Sequence, residues 1–290
     1  MLDLSIIILN YNTKDLILEC ISSIRQQYKD QFDNEKFEII VVDNNSTDES
    51  LSFLRKFRFN GFNLIETKEN LGFSNGCNLG AKNAKGEYLL FLNSDTQIKD
   101  QGFLKMFNFL KDKEKIGILG GKLKNADGSS QLSGGKFYNI PNLLLMLLGM
   151  EKFASLRQSP NKIQKIDWVS GACLMVKKSV FEKIGGFEKN IFMYMEDMEL
   201  CFKAKKRGLD TYFYPEIMLY HKELGSSNRS FAILNIYKGI ILFYKKHMPK
   251  WQFFLAKTLL YLKSIMLFGF GKLTGNNYLI QTYGETLKIF

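Results

Sequence analysis

The sequence predicts an α/β fold: a mainly parallel sheet flanked by helices, followed by a basic, aromatic-rich helical tail. Three observations predict it. Apolar runs of strand length alternate with stretches of helical period over the first 230 residues, several of those runs stop abruptly at Asn or Asp, and 46% of the 290 residues are hydrophobic, enough for a packed core. Strands separated by helices pair in parallel.

In chain order, residues 4–9 read as a buried strand ending at Asn10-Tyr11-Asn12, and Thr13 is placed to cap a helix that turns Leu16, Cys20, Ile21 and Ile24 inward. Residues 37–42 form a second buried strand ending at Asp43, and Ser46-Thr-Asp-Glu49 reads as a capping box that opens the next helix. A short strand over 62–66 precedes the loop Asn70-Leu-Gly72-Phe73, and a helix follows over 75–84. The strand Tyr88-Leu-Leu-Phe-Leu92 then runs into Asn93-Ser94-Asp95-Thr96 and delivers a carboxylate to the rim of the sheet, where open α/β sheets bind ligands. An amphipathic helix over 100–112 and a strand over 116–119 come next, then a turn-rich stretch over 125–135. The apolar run 141–150 is about half the roughly 20 residues needed to span a bilayer, which leaves a core segment or a membrane-facing lip. Strand character returns over 167–176, a short helix over 179–184 ends at Gly185-Gly186, and Glu196-Asp197 opens a helix that stops at Gly208. The strand 211–214 leads through Pro215 to His221, and the tail holds helices over 231–247 and 251–270.

The totals exclude several classes. Four cysteines, at 20, 77, 173 and 201, are too few for a disulfide scaffold and too far apart for a zinc ribbon, as in a reduced cytosolic protein. The first residues enter a strand without a basic region or cleavage site, unlike a secretory signal. The net charge is +11, of which residues 221–290 carry +8, from ten Lys and Arg against two acids. Their aromatics lie in long apolar runs and do not alternate with Arg, so this segment suits an anionic membrane surface and not nucleic acid; a solvated basic face is the alternative. Within 251–270, two central lysines cost roughly 5–7 kcal/mol on insertion while the apolar residues return roughly 4–7 kcal/mol, so spanning and lying in the interface both stay open.

Asp43, Asp95 and Asp197, all at strand or helix ends, together with His221, form a set that a sugar-nucleotide enzyme can use. Asp43 can accept from a nucleobase or ribose. Asp95 can share a hard cation with a diphosphate, and His221 either completes that shell or is structural. Asp197 or Glu196 can deprotonate an acceptor hydroxyl. Phosphate-loop, zinc-protease and serine-hydrolase motifs are missing from the sequence.

Taken in order, Ile8-Leu-Asn-Tyr-Asn12, Val42-Asp-Asn-Asn-Ser-Thr-Asp48, Asn70-Leu-Gly-Phe73 with Asn78-x-Gly80, Phe91-Leu-Asn-Ser-Asp95, Gly171-Ala172, Met195-Glu-Asp-Met-Glu-Leu200 and His221-x-x-x-Gly-Ser resemble family 2 glycosyltransferases, above all their bacterial rhamnosyltransferase-like branch. The resemblance covers residues 3–230. It implies a GT-A fold (a Rossmann-like nucleotide-binding sheet), a nucleotide-sugar donor, Mn²⁺ or Mg²⁺, and inversion at the anomeric carbon. Carried over by position, it implies that Asn10, Tyr11, Asp43, Asn70, Gly72, Phe73, Asn78, Asn93 and Ser94 bind the nucleotide sugar. Gly171 and Ala172 would border the transferred sugar, Asp95 and His221 would hold the metal, and Asp197, with Glu196 beside it, would be the base. Asn93 stands where the family's metal motif has its first acid, which raises the weight on His221.

The expected arrangement is therefore a transferase domain over 1–230 and a membrane-associating helical segment over 231–290. The expected activity is transfer of a sugar, L-rhamnose from dTDP-rhamnose, to a lipid-linked or oligosaccharide acceptor in bacterial surface polysaccharide synthesis. The site of action is the cytoplasmic face of the membrane. UDP-galactofuranose or a UDP-hexose is the alternative donor, and a non-catalytic nucleotide-sugar-binding partner is the alternative class.

Overall fold

A computed structural model describes residues 2–152, 154–222 and 228–290. The Gly-Ser pair that completes the His221 motif lies outside the described residues. The chain runs β1 (Leu4–Asn10), α1 (Lys14–Gln27), α2 (Lys29–Asp33), β2 (Phe37–Asp43), α3 (Ser50–Leu54), β3 (Phe62–Glu66), α4 (Gly72–Asn83), β4 (Tyr88–Asn93) and β5 (Thr96–Ile98). It continues through α5 (Gly102–Leu110), β6 (Ile116–Lys124), β7 (Gly134–Gly135), α6 (Ile140–Leu147), β8 (Arg157–Gln158), β9 (Gln164–Ile166), β10 (Trp168–Val169), β11 (Cys173–Lys177) and α7 (Lys178–Lys183). It closes with α8 (Glu196–Lys206), β12 (Asp210–His221), α9 (Arg229–His247), α10 (Lys250–Thr274) and α11 (Asn277–Leu287).

The main sheet has the order β3-β2-β1-β4-β11-β6-β12-β5, with β9 on β12. From β3 to β4 every pairing is parallel, as the βα alternation requires. Past β4 the sheet is mixed: β11 runs antiparallel between β4 and β6, while β6 and β12 are parallel. Both faces are covered, which is why the strands read as continuous apolar runs. Ile7, Ile40, Leu89 and Phe91 face a core shared with α4, α8 and α9. Ile6, Ile39, Leu90 and Leu92 face a second core under α1 and α5. The four cysteines are free and buried.

Four local expectations are corrected. Thr13 precedes α1 without capping it, and its hydroxyl donates to Asn10 Oδ1 at 2.7 Å. Ser46 makes no capping box: its hydroxyl accepts from Asn10 Nδ2 and the Asn12 amide, and α3 begins only at Ser50. The run over 167–176 is broken at Ser170-Gly171-Ala172, so β10 joins a small sheet, β10-β7-β8, before β11 enters the large one. β12 continues through Pro215 with a register shift between Tyr214 and Leu219, consistent with a residue that cannot donate to the ladder. A third tail helix, α11, was not expected.

Candidate active site

The ends of β1, β2, β4, β10 and β12 and the start of α8 meet at one edge of the sheet. Register explains it: Asn10 pairs with Asp43, Leu9 with Asn93, and His221 with Thr96, so each strand releases its terminal polar residues at the same level. The Asn93 amide donates to Ala172 O at 3.2 Å, which brings the break between β10 and β11 to that edge. The cleft there encloses about 720 Å³ and is lined by Tyr11, Asn70, Gly72, Phe73, Asn93, Ser94, Asp95, Gly171, Ala172, Glu196, Asp197 and His221.

Three residues expected to bind ligand stand behind the wall. Asn10 is fully buried and donates to Asp43 Oδ2 at 2.7 Å. The other oxygen of Asp43 accepts from the Ser46 amide at 3.0 Å, so both residues brace the turn after β2 and neither lines the cleft. Asn44, which the sequence reading passed over, lines it instead. Its Nδ2 donates to Asn70 Oδ1 at 2.7 Å and its Oδ1 accepts from the Leu71 amide at 3.0 Å. Asn78 spends its whole amide on the Phe187 backbone, at 2.9 Å in each direction, and ties α4 to the turn after α7.

The 70–73 loop is held from both sides. Asn70 Oδ1 accepts from the Gly72 amide at 3.0 Å, and the Phe73 amide donates to Phe192 O at 2.6 Å. Gly72 has φ +77°, and a Cβ there would lie 2.5 Å from Phe192 O, so both its conformation and its packing require glycine. Gly171 has the Phe73 ring 3.4 Å from where its Cβ would be and Asp197 3.8 Å away, and the missing side chain leaves room between them.

At the centre, His221 Nε2 lies 3.1 Å from Asp95 Oδ1 and 3.2 Å from Asn93 Nδ2. Gln131, a residue no motif marked, sets the tautomer. Its Nε2 donates to His221 O and to Asn125 Oδ1, so the oxygen facing His221 Nδ1 at 2.8 Å is an acceptor and Nδ1 carries the proton. Nε2 then presents a lone pair towards a carboxylate. Two acceptors at that separation are favourable only with a cation or proton shared between them, and the pair fits a divalent ion with N and O ligands. Among the described residues no third His, Cys, Asp or Glu side chain joins this pair.

The two acids at the start of α8 have different surroundings. Asp197 accepts from the Gly171 amide at 3.1 Å and the Met198 amide at 2.7 Å, yet burial still raises its pKa. Glu196 is buried, its Oε2 has no hydrogen-bond partner among the described residues, and burial together with the Asp197 charge pushes its pKa well up. Tyr194 and Met195, just before them, both adopt left-handed backbone, with φ 68° and 73°. Such strain collects at functional sites. The far wall is Tyr138, Arg157 and Trp168, none of which the sequence reading marked.

An open α/β sheet with a loop-closed cleft at its strand ends and acids on both sides defines the GT-A class of fold. A crystal structure of GalNAc-T7 with UDP, GalNAc and Mn²⁺ superposes with a TM-score of 0.61 at 14% identity, over 83% of this chain and 48% of that one. The chain belongs to glycosyl transferase family 2, whose model matches residues 5–185. It is 28% identical to the low-salt glycan biosynthesis hexosyltransferase Agl10 of Haloferax volcanii, over 72% of this chain and 63% of that protein. It is 26% identical to the rhamnosyltransferase WbbL of Escherichia coli K12, over 78% of this chain and 85% of that one. Of two longer relatives it spans only 20% and 18% of the length.

Proposed function

We propose that the protein transfers a sugar from a nucleotide diphosphate donor to a saccharide hydroxyl with inversion. The donor is dTDP-L-rhamnose and the acceptor a lipid-linked saccharide of a bacterial surface polysaccharide. The observation that carries the reading is Asp197: a carboxylate anchored to the Gly171 amide and opening on the same cleft as the Asp95–His221 pair. Tyr11, Asn44, Asn70 and Phe73 hold the nucleoside, with Asn10 and Asp43 bracing that wall from behind. The sugar lies over Gly171 and Ala172. Asp197 takes the acceptor proton as the acceptor oxygen bonds to the anomeric carbon, and the bond from that carbon to the diphosphate breaks on the opposite face. A divalent ion at Asp95 and His221, Mn²⁺ by the preference of imidazole, would supply the positive charge that stabilises the leaving diphosphate. The rhamnosyl donor is supported by the likeness to WbbL, and the cation by the Mn²⁺ of the GalNAc-T7 complex.

Thermal shifts test the donor. A ligand that binds only the folded state at 100 times its Kd adds about 2.7 kcal/mol of stability. We expect dTDP-rhamnose with Mn²⁺ to raise Tm and EDTA to reduce the shift. UDP-galactofuranose, UDP-galactose and UDP-glucose should shift it less. A larger shift with a UDP-sugar would replace the rhamnosyl donor, and no shift with any of them in folded protein would favour a non-catalytic partner.

We further propose that the protein lies on the inner face of the cytoplasmic membrane. Trp251, Phe254, Leu262, Met266, Phe270 and Leu273 are exposed along α10, the one helix long and apolar enough to cross a membrane among the described residues. Its other side is covered by protein: Ala256, Leu260, Ser264 and Gly271 are buried, and Lys257 and Lys263 are turned to the carbonyls of Phe290 and Leu147. A helix covered on one side and apolar on the other suits the interface plane, and the basic tail suits anionic headgroups. Flotation with vesicles containing anionic lipid should recover the protein, and Leu262→Glu/Met266→Glu should leave it in the soluble fraction. Flotation unchanged by that double variant would remove α10 as the contact.

A further inference from the structure

We propose that Arg157 forms an anion subsite on the acceptor side of the cleft, taking the phosphates of an isoprenoid-diphosphate-linked acceptor whose chain runs out over α6 and α10. The proposal rests on the transferase reading above. Among the described residues that line the cleft, Arg157 is the only Lys or Arg. Of its five N–H donors, one described bond is made, from Nη2 to Leu132 O at 3.1 Å, and no carboxylate pairs with it among the described residues. A guanidinium facing a cleft with its fork unspent matches a phosphate in shape and charge.

Its place in the fold separates it from the nucleoside wall. Arg157 is on β8, paired with Gly135 of β7, which in turn pairs with Trp168 of β10. That small sheet leads into β11, two strands from β1. Arg157 lines the same cleft as Asp197 and Tyr138, so an anion bound there shares that cleft with the acceptor's base. The stretch between β7 and β8 also carries α6, whose Leu144, with Leu148 and Met150 just beyond the helix, is exposed. Lys263 of α10 is bonded to Leu147 O at the end of α6, so α6 and its exposed residues are packed against α10. One excursion of the chain thus carries an unpaired cation inside the cleft and an apolar surface outside it. An amphiphile with a diphosphate head fits both.

The test measures equilibrium binding by the full-length protein with farnesyl diphosphate, farnesol, inorganic pyrophosphate and the nucleoside diphosphates dTDP and UDP, each with Mn²⁺. Farnesyl diphosphate should bind wild type at least about tenfold more tightly than pyrophosphate, a gap of about 1.4 kcal/mol. Arg157→Ala should weaken it by at least about tenfold and Arg157→Lys by less, since lysine keeps the charge and loses the fork. Binding of dTDP and UDP should not change, and Tm should hold within a degree or two for this exposed side chain. Loss of nucleotide and farnesyl diphosphate binding together would assign Arg157 to the donor's phosphates and overturn the proposal. So would equal affinity for pyrophosphate, or farnesyl diphosphate binding that is absent from wild type or indifferent to Arg157. If no nucleotide binds while farnesyl diphosphate binds through Arg157, the subsite stands and the donor assignment falls.

Discussion

Asp197→Asn is expected to lower kcat by about 10²–10⁴-fold, the usual contribution of a positioned general base, with donor binding retained. The assignment turns on which member of the Glu196–Asp197 pair is ionised. Asp197 accepts two backbone amides at the start of α8, and Glu196 has a buried oxygen with no partner among the described residues, so the shared burial keeps the proton on Glu196. Burial nevertheless raises Asp197 as well, so the acid limb of kcat/KM should lie above the ordinary aspartate value of about 3.9, with the rate falling as pH falls through it. Glu196→Gln copies the protonated acid and should keep most activity. Stability gives an independent reading. A carboxyl whose folded pKa is raised contributes stability that is present below its unfolded pKa and lost as pH rises through the folded one. Glu196→Gln should therefore gain Tm over wild type at pH 8 and show little gain at pH 4. Full activity in Asp197→Asn would remove Asp197 as base, and an equal loss in Glu196→Gln would mean that the two act as a unit.

The parts of this site that were legible in the sequence are those set locally. An apolar run stopped by Asn93-Ser-Asp95 or by Asp43 announces a strand end, and the parallel register then brings such ends together. Family membership followed from the ordered set of such ends. What local pattern cannot give is the direction of a side chain beyond a strand. Asp43 and Asn44 are both buried, but successive side chains leave a strand on opposite faces, and of the two only Asn44 meets the cleft. The far wall was illegible for another reason. Tyr138, Arg157 and Trp168 are assembled by two-residue strands, β7, β8 and β10, too short to show any period. The third tail helix was missed because its buried face is polar: Thr282 and Thr286 bond to Ser230 and Ser264, and only Tyr283 among them is aromatic.

The same packing leads to the largest expected effect on stability: a chain ending at residue 228 should not fold cooperatively, although every proposed site residue precedes that point. The reason is α9. Tyr237, Ile240, Phe243 and Tyr244 are buried in the cluster that holds Leu200 and Phe213, and Tyr244 donates to Tyr138 O at 2.8 Å. At roughly 1.5–3 kcal/mol for each large apolar side chain, these four supply roughly 6–12 kcal/mol. A typical domain has only about 5–15 kcal/mol in total. The loss also falls on buried charge, because Glu199 is 1% exposed and one of its oxygens meets His247 Nε2 at 2.9 Å. Nor is the active turn independent of this helix. A Cβ on Gly239 would lie 2.8 Å from Met195 Cβ and 3.1 Å from Tyr194 O, so α9 is the surface against which the left-handed Tyr194-Met195 turn is pressed. Strained backbone persists only where its surroundings over-determine it, and removing α9 removes that constraint immediately ahead of Glu196 and Asp197. Urea unfolding followed by circular dichroism is the check. The full chain should show a sigmoidal transition and the 1–228 chain a gradual one without nucleotide-dependent stabilisation. A sharp transition in the short chain that shifts with dTDP would show that the sheet and its site stand without the helices.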